Sequence, residues 1–241
     1  MNYIFPEKHI SIIEEILASF LRQHNVDEKT GIQALERIHD KKPMKQGLPE
    51  SIEFEYKRHG TLCLTPSFNI LTGKIDYHTI AETRNESDFA DHIKNTVSLA
   101  PEASWIFVSD QLNTHKSESL VRFISEACEL KDDLGVKGKS GILQSMDSRM
   151  EFLSNEAHRI RFVYTPKHCS WLNQVEIWFG ILSRKMLKRG SFKSKDEFLF
   201  IITILLSSKN YTSYTPFLQL DKETISKYMF RLWKCLNSDI F

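Results

Sequence analysis

The chain has 241 residues and a mass of 28.2 kDa, enough for one sizeable α/β domain with a hydrophobic core. Hydrophobic residues make up 41% of it and charged residues 26%, close to the globular average, which excludes fibrous and disordered proteins. A formal net charge of +1 excludes a protein that is basic throughout, such as a histone-like binder.

Cysteine usage and hydropathy indicate a soluble cytoplasmic protein. The cysteines are widely spaced, form no CxxC pair and predict neither a zinc site nor a disulfide framework: Cys63, Cys128, Cys169 and Cys235. The N-terminus lacks the basic start and apolar run of a secretory signal. The longest apolar stretch, Phe198 to Leu206, is too short to span a bilayer, so no membrane association is expected.

The order of predicted elements is that of an α/β protein with a mixed sheet. Helical spacing of apolar residues predicts helices at residues 8–22, 86–99, 119–130 and 171–188, the last with one broad apolar stripe from Trp171 to Met186. Two β-rich runs around the turn at 71–74 predict a hairpin, and short apolar runs predict strands at 105–108 and 161–164. Residues 41–55 predict a surface loop, and the Gly- and Lys-containing residues 131–148 predict a flexible excursion. A hairpin followed by strand, helix, strand and helix is typical of a mixed sheet.

Three carboxylates lie where packing alone does not need them. Asp110 follows a predicted buried strand, where ligands collect in α/β sheets, although such a residue more often only starts a helix. Glu176 lies at the margin of the apolar face of helix 171–188, and taken alone it is a surface residue. Asp27 lies in a charged turn, where Glu28 competes for the same role and a solvated turn is the simpler interpretation.

Brought together, three carboxylates would hold Mg²⁺ or Mn²⁺, because these hard cations prefer oxygen ligands. Two such ions, about 3.5–4 Å apart, stabilise the attacking and leaving oxygens of an in-line phosphoryl displacement. The carboxylates therefore predict a two-ion site for phosphodiester chemistry.

Charge is concentrated in one segment. Residues 158–195 hold nine Lys or Arg against a single acid, Glu176, and so carry +8 in a chain whose total is +1. Such a stretch is usually a solvated helix face. Because this one is interleaved with aromatic residues and surrounds the candidate glutamate, it favours a track for a phosphate backbone.

Four sequence blocks, in order, resemble the DDE transposases of the mariner superfamily, most closely their bacterial insertion-sequence branch. The most specific is TPKHCSWLNQVEIWF at residues 165–179, continued by LKRGSF at 187–192. The others are VDEKTGIQALER at 26–37, YKRHGT at 56–61 and VSDQLNTHKS at 108–117.

The resemblance implies an RNase H-like fold, a mixed β-sheet flanked by helices, with Asp27, Asp110 and Glu176 as the catalytic, metal-binding acids. It also implies metal-dependent DNA strand cleavage and strand transfer at transposon ends, by a homodimer on DNA in the bacterial nucleoid. Four residues close to the acids would orient DNA or the metal shell: Asn113, Lys167, His168 and Asn173. Three on the following helix turns would contact phosphates: Arg184, Lys188 and Arg189.

The resemblance divides the chain into an N-terminal remnant at 1–25, a catalytic domain at 26–195 with a loop insertion near 131–150, and a divergent segment at 196–241. Residues 21–25 are polar where the family has an apolar central strand, which predicts a truncated strand. No helix-turn-helix for end recognition is found before residue 26. These departures leave open a second hypothesis, an inactive or truncated remnant that only binds DNA. A third, another RNase H-like nuclease such as a resolvase, is disfavoured by the block at 165–176.

Overall fold

The computed structural model of the protein describes residues 21–39, 44–47, 55–167, 169–188 and 190–207. The strands within these ranges are β1 (Leu21–Val26), β2 (Lys29–Arg37), β3 (Tyr56–Asn69), β4 (Lys74–Ala81), β5 (Ser104–Ser109) and β6 (Ile160–Tyr164). The α-helices are α1 (Glu86–Val97), α2 (Glu118–Ala127), α3 (Met146–Leu153), α4 (Gln174–Leu182) and α5 (Lys195–Ser207). Shorter turns are the 3-10 helices Asn113–Lys116, Ile142–Gln144 and Ser170–Leu172 and the π-helix Ser183–Leu187.

The strands form one mixed sheet in the order β2-β3-β1-β5-β6, with β4 paired to β3. Strand β1 lies in the middle, antiparallel to β3 and parallel to β5, and β5 is parallel to β6. The carboxyl ends of β1, β5 and β6 therefore meet at one edge of the sheet. This architecture confirms the predicted mixed sheet, the hairpin around residues 71–74 and the two later strands.

Strand β1 is central although its sequence is polar, so the prediction of a truncated strand is wrong. His24 is fully buried, with its Nε2 2.9 Å from Asp76 Oδ2 and its ring 5.1 Å from that of Trp105. The buried Asn25 donates from Nδ2 to Asn173 Oδ1 at 2.8 Å. One polar atom of each side chain, His24 Nε2 and Asn25 Nδ2, therefore has a partner inside the protein, whereas His24 Nδ1 and Asn25 Oδ1 have none among the described residues. These internal contacts allow a polar strand to lie in the middle of the sheet. Most of the helix predicted at 8–22 lies outside the described residues, and its last two residues belong to β1.

The segment predicted as a flexible excursion contains ordered structure. Gly135 and Gly141 have positive φ, and a Cβ on either would lie within 3 Å of the facing backbone, so this tight turn requires glycine. Leu143 is fully buried, and α3 begins within the predicted loop, capped by Ser145. The loop therefore packs on the core through its second half.

The helix predicted at 171–188 is broken into a 3-10 turn, α4 and a π-helix. Trp171, predicted to be part of its apolar stripe, is 67% exposed, because the α-helical spacing begins only after Asn173. The segment predicted as divergent from residue 196 begins within helix α5, where Phe198, Ile202 and Leu206 are buried at i, i+4 and i+8. Residues 208–241 lie outside the described part of the chain.

Two hydrophobic clusters hold the sheet to its helices. The first joins β5 and β6 to α1, α2 and α3 through large buried rings, including Trp105, Phe107 and Phe162. The second joins β2 and β3 to α4 and α5, with Trp178, Phe179 and Phe198 at its centre. In the described ranges, every helix is too short or too polar to cross a membrane.

Candidate active site

Two carboxylates follow the ends of adjacent parallel strands. Asp27 comes directly after β1 and Asp110 directly after β5. The register of this pair aligns Asn25 with Val108, so both acids leave the sheet at the same edge. Their position is the one at which open α/β sheets collect ligands.

Asp27 is buried and lies in an acidic environment. Its residue is 8% exposed, and its Oδ1 accepts a hydrogen bond from the Glu28 N–H at 2.8 Å. Burial, followed by the negative charge of Asp110 and with a smaller contribution from Glu176, raises the pKa of Asp27 to about 7. The other two predicted acids, Asp110 and Glu176, therefore both act electrostatically on the Asp27 carboxyl group.

A buried histidine links two of the acids at this edge. His115 Nδ1 lies 2.7 Å from Asp110 Oδ1, and its Nε2 lies 3.0 Å from Glu28 Oε2. Burial alone would lower the pKa of His115, but the hydrogen bonds and charges of Asp110 and Glu28 raise it to about 9. The ring is therefore an imidazolium at neutral pH, donating to a carboxylate from each nitrogen.

The His115 contact also controls Asp110. Burial would raise the pKa of Asp110, but the hydrogen bond and charge of His115 outweigh burial and hold the pKa below its usual value. The Leu112 N–H donates to the same oxygen at 3.0 Å. Asp110 is thus held in position by two hydrogen bonds. It is ionised at neutral pH, whereas the pKa of Asp27 lies near 7.

Glu176 is brought to the same edge by the start of α4. The buried Asn173 precedes this helix and donates from Nδ2 to the Val26 carbonyl at 3.1 Å, while its Oδ1 accepts from Asn25. These two bonds fix α4 to the last residues of β1, next to Asp27. Glu176 lies one turn further on, in the first turn of α4, and is exposed.

The other predicted site residues differ in their surroundings. Asn173 is fully buried, so it has no surface for a direct DNA contact and acts by positioning α4. His168 and Arg189 lie outside the described residues. The remaining four are exposed: Asn113, Lys167, Arg184 and Lys188. Arg184 lies in the π-helix, a rare element that often marks functional sites, and its guanidinium lies over Gly180.

The basic segment at 158–195 is not one continuous patch. Arg159 donates to three backbone carbonyls, and Arg161 pairs with Glu156 just outside the counted segment. Lys195 pairs with Glu82. The first two arginines belong to the amino end of β6, opposite the edge where the acids gather. The available positive charge near the acids is therefore smaller than the count of +8 predicts.

Sequence reasoning missed His115 as a member of the site. It lies five positions after Asp110, inside the block at 108–117 that carries the family resemblance. Glu28, considered as a competitor of Asp27, is its second partner. Within the described part of the chain, one set of three side chains offers ligand atoms all within 4.8 Å of one another: Asp27, Glu28 and His115.

The donor chemistry fits a divalent cation. The predicted ligands Asp27, Asp110 and Glu176 are all carboxylates, the donors that Mg²⁺ and Mn²⁺ prefer. The raised pKa of Asp27 records negative charge that a bound cation would neutralise. Both ring nitrogens of His115 lie at hydrogen-bond distance from carboxylates, so the ring is their partner and the carboxylate oxygens are the groups that would hold a cation.

Solved structures of the Mos1 mariner transposase have a similar fold. The paired end complex with Mn matches with a TM-score of 0.53 and 16% identity, covering 97% of this chain and 60% of that one. The paired-end complex with the left transposon end matches with a TM-score of 0.53 and 14% identity, covering 99% and 64%. The Strand Transfer Complex matches with a TM-score of 0.51 and 14% identity, covering 97% and 58%. This chain thus spans about three fifths of the length of those proteins. At this level of identity the likeness confirms the expected RNase H-like fold.

Sequence comparison gives the family directly. None of the curated proteins matches this chain in sequence. The family described as DDE superfamily endonuclease matches residues 25–199, which include both strand-end acids and Glu176. This match covers well over half of the chain, and the chain therefore belongs to the DDE superfamily endonucleases.

Proposed function

We propose that this protein is the catalytic domain of a transposase of the mariner superfamily, from its bacterial insertion-sequence branch. It cleaves DNA strands at transposon ends and transfers them to target DNA. The observation that carries the proposal is that Asp27 and Asp110 follow adjacent parallel strands at one edge of the sheet, with Asn173 fixing the helix of Glu176 to the end of β1. Membership of the DDE endonucleases supports the same chemistry.

In this proposal Asp27, Asp110 and Glu176 hold two Mg²⁺ or Mn²⁺ ions. The bound ions would activate water, and then a DNA 3′-hydroxyl, for attack on phosphodiesters. His115 holds the Asp110 carboxylate through Nδ1, and Glu28 holds the other side of the ring. These two residues keep Asp110 ionised and oriented, and no covalent bond between protein and DNA is required.

The DNA partner is held by cations close to the acids. Lys167 is exposed after β6, and Arg184 and Lys188 are exposed after α4, at the spacing of successive helix turns. Asn113, exposed near Asp110, is a candidate to orient the strand. His168 and Arg189 stay predictions from the family resemblance, as do the homodimer and the nucleoid location.

Metal-dependent nicking tests the proposal. A supercoiled plasmid carrying the two ends of the element is incubated with the purified protein and Mg²⁺ or Mn²⁺, and nicked product is quantified. We expect nicking by the wild type and a loss of at least about 100-fold in Asp110→Asn and Glu176→Gln, because each change removes a metal-binding charge.

Asp147→Asn is the matched control, since Asp147 is an exposed carboxylate in α3 and lies outside the site. Equal nicking by the wild type and both active-site variants would contradict the proposal. Salt-sensitive DNA binding without metal-dependent nicking would instead support the inactive remnant. That second hypothesis has lost one support, because β1 is a full central strand.

A further inference from the structure

A cavity of about 220 Å³ opens between β2, β3 and the segment that follows β4. Its wall includes Thr30 and Gly31 of β2, Thr61 of β3, and Arg84 beyond the end of β4. None of these residues belongs to the predicted metal or DNA sites. The cavity therefore needs an explanation of its own.

A local irregularity of the sheet forms this cavity. The register of β2 against β3 shifts between Lys29 and Ile32, and Gly31 lies in this bulge with φ +69. No heavy atom lies within 4 Å of a Cβ placed on Gly31, so the bulge faces open space. Exposed threonine hydroxyls on the two strands, at Thr30 and Thr61, line this opening.

The positive charge of the cavity comes from Arg84. Its side chain is exposed, and among the ion pairs of the described residues none includes it. The acid in the wall, Glu82, is paired with Lys195. Burial raises the pKa of the Cys63 thiol to about 11, so this wall residue is uncharged at neutral pH. A guanidinium beside neutral hydroxyls is suited to an anion with several oxygen acceptors.

The cavity lies beside the acids. Thr30 and Gly31 of the cavity wall lie three and four positions after Asp27, at the start of β2. Strand β4 runs antiparallel to β3, which is itself antiparallel to β1, so Arg84 follows β4 at the edge where Asp27 follows β1.

We propose that the cavity is a subsite for a backbone phosphate of the bound DNA, held by the Arg84 guanidinium with the Thr30 and Thr61 hydroxyls. The inference rests on the proposed function and assigns one DNA contact that the sequence motifs do not indicate. Phosphate contacts of this kind fix the position of the strand and read no sequence.

DNA affinity measured against salt concentration tests the subsite. Ca²⁺ replaces the catalytic ion so that the DNA stays intact. We expect Arg84→Gln to bind about 3- to 10-fold more weakly and to lower the salt slope by about 0.9, the value of one phosphate contact. Arg84→Lys keeps the charge and should retain the slope with part of the affinity.

Lys74→Gln is the matched control. Lys74 is exposed at the opposite end of β4, and this substitution removes one positive charge, as Arg84→Gln does. A neutral methylphosphonate walked along the strand locates the contact. When the methylphosphonate replaces the phosphate that Arg84 contacts, the wild type should bind this DNA more weakly than unmodified DNA. Arg84→Gln should bind the two DNAs equally well. If the wild type binds and nicks DNA but Arg84→Gln keeps its affinity and slope, the subsite is wrong and the proposed function stands. A wild type that neither binds nor nicks DNA overturns both.

Discussion

Asp27 differs from Asp110 because its pKa lies close to neutral pH. Its pKa of about 7 means that roughly half of the metal-free molecules hold a proton there at neutral pH. Asp110, only a strand away, is kept ionised by His115. The two strand-end acids therefore start in different protonation states, and under the proposed function the binding of a cation would release a proton from Asp27.

We expect Asp27→Asn to stabilise the metal-free protein at pH 8 and to change its stability little at pH 4. The folded-state pKa lies near 7 and the unfolded value near 3.8, so the unfavourable charge develops as the pH rises between them. Above pH 7 the asparagine variant should be more stable by about 2 to 4 kcal/mol, since each pKa unit corresponds to about 1.4 kcal/mol. Urea unfolding in the presence of a chelator measures this difference.

Asp147→Asn serves as the control, because Asp147 is an exposed carboxylate outside the site and its replacement should not stabilise the protein at pH 8. Adding Mn²⁺ at pH 8 should stabilise the wild type more than Asp27→Asn. An Asp27→Asn effect that is equal at pH 4 and pH 8 would contradict the raised pKa.

At the level of single residues, motif spacing found the acids but not their partners. Asp110 was recognisable because a buried strand ends there, whereas His115 required knowing that Glu28, 87 positions away, faces its other nitrogen. Trp171 was expected to be buried because its spacing fits the helix of Trp178. The chain changes direction at Asn173, and hydrophobic periodicity contains no signal for that break.

Among the elements, β1 shows most clearly what sequence patterns cannot reveal. The sequence of a central strand is usually a run of apolar residues, whereas the sequence of β1 is LRQHNV. His24 and Asn25 of this strand each bond one partner, Asp76 and Asn173, which lie 52 and 148 positions further along the chain. The other strands and the helices at 86–99 and 119–130 were predictable, because their apolar residues recur at regular spacing.

We expect Asn173→Ala to destabilise the protein by about 1 to 3 kcal/mol, because it leaves buried polar atoms of Asn25 and Val26 without this partner. The same change should reduce metal-dependent nicking strongly, since it loosens the helix that carries Glu176. Chemical unfolding and the plasmid assay measure the two effects.

Asn113→Ala is the control for loss of an amide, because Asn113 is exposed and no large change in unfolding free energy is expected. An Asn173→Ala protein with unchanged stability and full nicking would show that the tie between α4 and β1 is not needed.

Across the whole molecule, the sequence indicated charge segregation correctly but overstated how much positive charge faces DNA. A count along the chain does not show that Arg159 and Arg161 lie at the opposite end of a strand from the acids. It also misses pairing with acids outside the counted segment, such as Glu156 and Glu82. The net charge of a sequence segment therefore indicates a DNA partner more reliably than it indicates which surface of the protein contacts DNA.

Two arginines of this segment should consequently behave differently. We expect Arg184→Gln to weaken DNA binding and to lower the salt slope by about 0.9, because Arg184 lies on the helix that follows Glu176. Arg161→Gln removes the same charge at the far end of β6 and should leave both quantities unchanged. Equal effects of the two variants would show that net charge alone governs binding.

The order of the strands and of helix α4 along the chain affects how the protein folds during its synthesis. The bond from Asn173 to the Val26 carbonyl spans 147 positions, so the helix of Glu176 can dock only after almost the whole domain has left the ribosome. Strands β1, β3 and β5 are synthesised earlier and can pair first. A nascent chain, or a product terminated before residue 173, therefore holds the first two acids without the third. The site is completed late, on a sheet that is already in place.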